Sequence, residues 1–338
     1  MFLFTADIHL TSKASEGYRW ELFTWLAARI SALKIRHLFI LGDLTDAKDS
    51  HRSDLVNLFV ENLISLEQVK IHILKGNHDY TVADQPFFEF LGGYPRITFY
   101  SEPTEKIIAG KKFLILPHTD SWTSYSRKWI KKGYDFIIFH QPLNGALTNN
   151  GIEIEGSASP KALINAAPTV ASIGGDIHPP QEIAKGVYYT GAPHPLRAGD
   201  CFEPRVIVYD GDSIKSVSRM MVRKPSIRIR GYLDQDELMT LLENETYEGD
   251  MAFITVEITQ PQAHFWKTYS QSIKQVCDSL EINLRSLQLR IIQTDAIDQK
   301  ITGTSPTDLM TAFNEFRDYS EACKSFAKSV LSGKLNGH

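Results

Sequence analysis

The sequence predicts an α/β (α+β) protein, and three observations carry that reading. Short apolar runs alternate with segments of helical periodicity over the first half of the chain. Almost every run ends in a cluster of Asp, His or Asn. Beyond residue 221 the composition changes, and a second strand-helix alternation begins.

Residues 2–6 read as a first strand that delivers Asp7-Ile8-His9. With a period of two, Asp7 and His9 are expected on one side and Ile8 on the core side. Residues 18–34 place Leu22, Trp25, Leu26, Ile30 and Leu33 at helical spacing, which fits an amphipathic helix. Residues 37–41 form a second strand ending in Gly42-Asp43, 55–66 a second helix, and 69–74 a third strand. That strand leads into Gly76-Asn77-His78-Asp79. A polar connector would also hold Asn, Asp and Gly for turn reasons. The recurrence of such clusters at strand ends points instead to a site. Strand-helix alternation makes a parallel sheet, in which sites gather outside the carboxyl ends of the strands.

Residues 99–116 read as shorter strands with a turn around Ala109-Gly110-Lys111, and 122–132 as a helix. Residues 134–139 form a strand that delivers His140. Residues 144–159 read as a surface loop, and 169–173 as a strand ending in Gly174-Gly175-Asp176-Ile177-His178, so an Asp-x-His corner recurs. Two further strands are expected at 188–192 and 205–209, and residues 213–231 hold Lys and Arg without a single acid. Residues 226–230, 236–243, 253–258, 264–280 and 287–292 alternate strand and helix as a small α+β domain. The expected organisation is a domain over 1–221, a second over 222–295, a linker over 296–306 and a C-terminal helix within 307–338.

A composition of 43% hydrophobic and 22% charged residues is that of an ordinary globular protein. The net charge of −4 argues against global steering by nucleic acid while leaving room for a local basic groove. Three widely spaced cysteines, Cys201, Cys277 and Cys323, form neither a disulfide framework nor a zinc ribbon. A reducing cytoplasm is the expected compartment. No signal peptide and no membrane span is expected.

Collected from the strand ends, Asp7, His9, Asp43, Asn77, His140, Asp176 and His178 offer nitrogen and oxygen ligands without a thiolate. This set suits two divalent ions of the manganese, iron, zinc or magnesium kind. Ions about 3.5–4 Å apart require an anion between them, and Asp43 is the natural bridge. His78, its ring held by Asp79, is expected to act as general acid on the leaving oxygen. His51, His72, His118, His194 and His264 read as ordinary histidines, although the loop of His194 and Arg197 lies where it could approach the site.

Asp-x-His, Gly-Asp, Gly-Asn-His-Asp, a lone His after an apolar strand and Gly-x-x-His, in this order over residues 1–180, resemble the calcineurin-like metallophosphoesterase signature. The resemblance implies a two-layered β-sandwich flanked by helices and a dinuclear site, usually Mn²⁺ in the nuclease branch, with Mg²⁺ as the alternative. It also implies that Asp7, His9 and His178 hold one metal, that Asn77, His140 and Asp176 hold the other, and that Asp43 bridges. One departure stands out: Asp176 occupies the first histidine position of the usual Gly-His-x-His, a harder and anionic ligand.

Residues 175–181, Gly-Asp-Ile-His-Pro-Pro-Gln, followed by Tyr189-Thr190-Gly191-Ala192-Pro193, resemble the SbcD-type nuclease subunits of double-strand-break repair. That resemblance implies DNA as substrate, a capping domain, a C-terminal segment that docks on an SbcC-type coiled-coil ATPase, and a homodimer. It allows a bacteriophage version acting in the host cytoplasm. A stand-alone phosphoesterase for a small nucleotide or phosphoester is the alternative.

Overall fold

The computed structural model describes residues 1–292 apart from 83, 84, 167, 201, 220 and 222. They form two compact units, one of residues 1–196 with 201–221, the other of 197–200 with the residues from 222 onward. The linker expected at 296–306 and the helix expected within 307–338 lie outside the described residues.

The first unit begins with β1 (Phe2–Thr5), a 3-10 turn, α1 (Glu21–Leu33), β2 (His37–Ile40), α2 (Ser53–Ser65) and β3 (Lys70–Leu74). It continues through β4 (Ile97–Tyr100), β5 (Thr104–Ile108), β6 (Lys111–Leu116), α3 (Trp122–Trp129) and β7 (Phe136–His140). Then come α4 (Lys161–Ala166), β8 (Ala171–Gly175), β9 (Gln181–Ala184), β10 (Val187–Tyr189), β11 (Arg205–Tyr209) and β12 (Ile214–Ser218). Among the described residues these strands make two six-stranded sheets, ordered β12-β11-β1-β2-β3-β4 and β5-β6-β7-β8-β10-β9. Strands β1 to β4 run parallel, as do β6, β7, β8 and β10, while antiparallel strands close the edges.

The apolar runs explain the layering. Every residue of β1 is buried, so both of its faces must be covered. Leu3 packs with Leu26 of α1 and Phe59 of α2 on one side. Phe2 and Phe4 pack with Phe113 and Phe136 of the second sheet on the other. Stacked rings fill this inter-sheet core, with Phe39 and Phe113 at 5.1 Å and Phe113 and Phe136 at 4.7 Å. Helices α3 and α4 cover the outer face of the second sheet through Trp122, Leu163 and Ala166. The result is a β-sandwich flanked by helices, as the sequence predicts.

Several elements differ from the sequence reading. The helix expected over 18–34 is broken at Trp20, where a 3-10 turn ends and α1 begins. Strand β9 and the short helix α4 were not expected, and β12 edges its sheet within the basic stretch 213–231. The two strands are half exposed edges, so they carry no continuous apolar run to read.

In the second unit, β13 (Ser226–Arg230), α5 (Gln235–Glu245), β14 (Met251–Ile258), α6 (Trp266–Ser279) and β15 (Asn283–Ile291) follow in order. The three strands form a parallel sheet, β13-β14-β15. Ile227, Ile229, Ile254 and Val256 pack beneath Leu238, Leu242, Ile273 and Val276 of the helices. A capping box starts α5: the Asp234 side chain accepts the Glu237 N–H, and the Glu237 carboxylate accepts the Asp234 N–H. No described helix is long and apolar enough to cross a membrane.

Candidate metal centre

The polar clusters meet at the carboxyl edge of β1, β2, β3, β7 and β8. Strand β1 ends at Thr5, and the chain beyond it is laced to the loop after β2. Asp7 N donates to the Gly42 carbonyl at 3.1 Å, and His9 N to the Asp43 carbonyl at 3.0 Å. Asp7, His9, Asp43 and Asp176 all hold positive φ, at 53°, 40°, 55° and 89°. Asp7 and His9 therefore reach a common site through left-handed turns, not through the strand alternation expected from sequence. Such conformations are sparsely populated outside glycine and persist where the surroundings impose them, commonly at functional sites.

Potential ligand atoms of Asp7, His9 and His178 lie within 4.8 Å of one another, as do those of Asp7, Asp43 and His140. Asp43 stands between the two sets. Its Oδ2 is 3.4 Å from His9 Nε2, and its Oδ1 is 3.4 Å from His140 Nε2. Asp176 Oδ1 lies 3.7 Å from the same nitrogen of His140. Asn77 Oδ1 is 3.0 Å from it as well. All seven predicted ligands thus converge on one edge of the sandwich, with Asp7 in reach of both sets.

The buried charges show what this cluster lacks. Burial, with Asp43 adding repulsion, pushes the Asp7 carboxyl up to about 7. Burial likewise pushes Asp176 up to about 6. Burial opposes the charge on Asp43 too, but the His140 and His9 imidazoles hold it well below the usual carboxylate range. For His9, burial is outweighed by the Asp43 and Asp46 carboxylates, which hold it up at about 10. For His140, burial is outweighed by Asp43 and Asp176, which hold it at about 9. Carboxylates buried this closely, beside imidazoles, are a setting in which divalent cations would supply the neutralising charge.

Two orphaned features agree. Asp7 Oδ2 is buried without a hydrogen-bond partner, and the nitrogens of His9 face Asp43 and Asp46 without a well-directed bond. Asn77 Oδ1 stands 3.1–3.2 Å from carboxylate oxygens of Asp43 and Asp176. Carboxylate oxygens crowded around an amide oxygen fit a cation held between them. The residues therefore fit a pair of hard divalent ions.

The scaffold behind these ligands was only partly legible. Asp79, expected to hold the His78 ring, does something else. Its Oδ2 accepts Asp43 N at 2.9 Å and Gly76 N at 2.7 Å, and its Oδ1 accepts Leu44 N at 2.9 Å. It ties the loop after β2 to the loop after β3. His78 instead donates its backbone N–H to Asp43 Oδ1 at 2.9 Å, and burial lowers the pKa of its ring.

Sequence reasoning missed Arg19 and Asp46. Asp46 Oδ1 lies 3.0 Å from His9 Nδ1, on the side of the ring away from Asp43. Arg19 is buried, donates to Asp46 Oδ2 at 3.0 Å and to the His9 carbonyl, and so fixes Asp46 in turn. The signal was present as Gly42-Asp43-x-x-Asp46, but nothing local marks Arg19. Three glycines also make room for His140. A Cβ on Gly42 would lie 2.3 Å from His140 Nδ1, and Cβ atoms on Gly175 and Gly76 would lie 2.9 Å from the ring. His194, read as ordinary, is wholly buried with Nε2 2.8 Å from the Ile8 carbonyl, between Asp7 and His9.

The sequence matches the calcineurin-like phosphoesterase family over residues 1–180. No curated protein matches the chain. Among solved structures, a novel archaeal phosphodiesterase is similar at 12% identity, over 64% of this chain and 99% of that one, with a TM-score of 0.34. A likeness that distant supports no argument about substrate.

Proposed function

The chain belongs to the calcineurin-like phosphoesterase family, and we propose that it cleaves DNA as a metal-dependent nuclease subunit of the SbcD type. The family's chemistry is metal-dependent phosphoester hydrolysis. The observation that carries the finer reading is the meeting of two stretches shared with that branch. Ala192 N donates to the His178 carbonyl at 2.9 Å, and a Cβ on Gly191 would lie 2.6 Å from Pro180. The Pro-Pro and Thr-Gly-Ala-Pro segments thus form one support for His178. In chain order a compact second unit follows the phosphoesterase core, as a capping domain would, and its β13 carries Arg228 and Arg230, both paired with Glu257.

In this reading Asp7, His9 and His178 hold one ion, Asn77, His140 and Asp176 hold the other, and Asp43 lies between them. Two divalent ions held there, Mn²⁺ first and Mg²⁺ second, would supply the Lewis-acid charge that binds a phosphate and activates water. The chain's own part is positional. Asp46 and Arg19 set the His9 ring, Asp79 fixes the backbone under Asp43, and His78 stands beside Asp43. Burial lowers the pKa of the His78 ring, which makes its protonated form a stronger acid towards the leaving oxygen. Partners in this reading are DNA, an SbcC-type ATPase that docks on residues 307–338, and a second copy of the chain, in the cytoplasm of the cell or of a phage host.

The test is degradation of linear duplex and single-stranded DNA by the purified protein with Mn²⁺, beside Asp43→Ala and a small chromogenic phosphodiester. Cleavage of DNA that Asp43→Ala abolishes supports the nuclease. Cleavage of the small ester alone, unchanged by an added SbcC-type ATPase, moves the reading to a stand-alone phosphoesterase.

A further inference from the structure

The inter-sheet core of the first unit is apolar towards the metal edge and cationic at its other end. On the faces of β2, β3 and β4 that meet the second sheet, Phe39, Leu74 and Tyr100 belong to the core. Two-residue alternation puts His37, Lys70, His72 and Thr98 on those same faces, nearer the amino ends. The register sets His37 beside Lys70 and His72 beside Thr98. With Lys106 of β5 and Arg96 just before β4, they line a cavity of about 290 Å³.

No carboxylate lines this cavity. Among the described residues, none pairs with Lys70 or Lys106. The Lys106 ammonium lies 5.6 Å from the centre of the Tyr100 ring. Arg96 is held by backbone only, donating to the Leu66 carbonyl at 2.7 Å and the Ile64 carbonyl at 3.1 Å. Besides burial, His37, Lys106 and Lys70 all lower the pKa of His72, and since that of His37 is itself lowered, the two lysines carry the standing charge. His72 is 4% exposed, with Nε2 3.1 Å from His37 Nδ1 and Nδ1 3.0 Å from the Tyr100 hydroxyl. Like charges around a partly enclosed cavity repel one another, and an anion reverses the sign of that energy. Ammonium and guanidinium groups only donate, so the anion must offer several acceptor oxygens.

We propose that this cavity binds a phosphate group, at a site separate from the metal centre. His72 and Asn77 are five residues apart along β3 and its following loop, which places the cavity about 16 Å from the metal edge. A phosphate held here is not the one being hydrolysed. It is either a monoester or inorganic phosphate held on its own, or a backbone phosphate farther along a bound strand.

Calorimetric titration of the full chain with saturating Mg²⁺ tests the proposal, using inorganic phosphate, a nucleoside 5′-monophosphate and a short single-stranded oligonucleotide as probes. Wild type is compared with Lys70→Ala/Lys106→Ala; both keep the metal centre, so their difference reports the cavity. The expected result is a binding event in wild type that the double variant weakens at least tenfold, with hydrolysis of a small chromogenic phosphodiester unchanged. Loss confined to phosphate and the monophosphate assigns a small ligand, and loss confined to the oligonucleotide assigns backbone phosphate. Equal binding of all three probes by both proteins, or no binding by wild type, overturns the proposal. Lys70→Ala alone, at an exposed strand start, gives the same comparison should the double variant melt early.

Discussion

The carboxylate of Asp79 accepts the backbone N–H of Asp43 at 2.9 Å, which makes the residue after the third strand the anchor of the residue after the second. Asp43 needs such an anchor because it sits at φ 55° with its side chain between two imidazoles.

Replacing Asp79 should therefore damage stability as well as activity. Asp79→Ala strands the N–H groups of Asp43, Leu44 and Gly76 in a buried site. At about 1–3 kcal/mol for each unsatisfied buried group, a loss of about 3 kcal/mol or more is expected. Urea unfolding of the metal-free protein measures it. A loss below about 1 kcal/mol would mean that water or a shifted loop replaces the carboxylate.

Gly42→Ala should empty the centre of metal. The added Cβ meets His140 Nδ1 at 2.3 Å, and φ is +91°. Gly110→Ala is the control, because its φ is +80° but nothing lies within 4 Å of the new atom. Both substitutions carry the left-handed penalty of about 1 kcal/mol, so only Gly42→Ala should lower bound metal by elemental analysis. Equal metal content in the two proteins would show that His140 is not held by this cradle.

Asp46→Ala should weaken metal binding about 10- to 100-fold, the usual effect of removing the partner that orients a ligand histidine. The fold should survive, since Asp46 is half exposed. Competition with a chelating dye reads the affinity, and circular dichroism checks the fold. Unchanged affinity would mean that Arg19 and the backbone alone set the His9 ring.

Acid should destabilise the protein partly through His72. Burial lowers its pKa to about 3 from an ordinary 6.5. As pH falls below 6.5, the unfolded chain takes up the proton and the folded chain does not, so stability falls until about pH 3. The slope contributed approaches about 1.4 kcal/mol per pH unit. His118, lowered to about 4 by burial, and His194, lowered well below its usual value, act in the same direction. In His72→Asn, the fall in unfolding free energy between pH 6.5 and 4 should be shallower than in wild type. Identical slopes would show that His72 protonates while folded.

Much of the site was legible because its candidate metal ligands sit where strands end. A carboxylate or imidazole at a strand end is visible in one dimension, and the order of Asp7, His9, Asp43, Asn77, His140, Asp176 and His178 followed from the apolar runs before them. What was misread was local geometry. Asp7 and His9 were assigned to a strand period, yet the strand stops at Thr5 and both residues turn left-handed. The Asp79 side chain was assigned to its neighbour His78, yet it serves three amides, two of them from another loop. A capped helix such as α5 needed no such help, since Asp234 and Glu237 satisfy each other within four residues.

By itself the sequence determined the fold class and the list of candidate ligands, because apolar periodicity and strand-end chemistry are short-range patterns. Only the tertiary structure decided how the list becomes a site. The Asp7 carboxylate accepts Asp176 N at 2.9 Å across 169 residues of chain, Arg19 reaches Asp46, and glycines from two loops and the end of β8 surround His140. Likewise Lys70 and Lys106 come to line one cavity with His37 only once two sheets face each other. Such contacts join residues that are remote in the chain and unremarkable where they stand. Their energy exists only after the apolar faces have packed and water has been excluded.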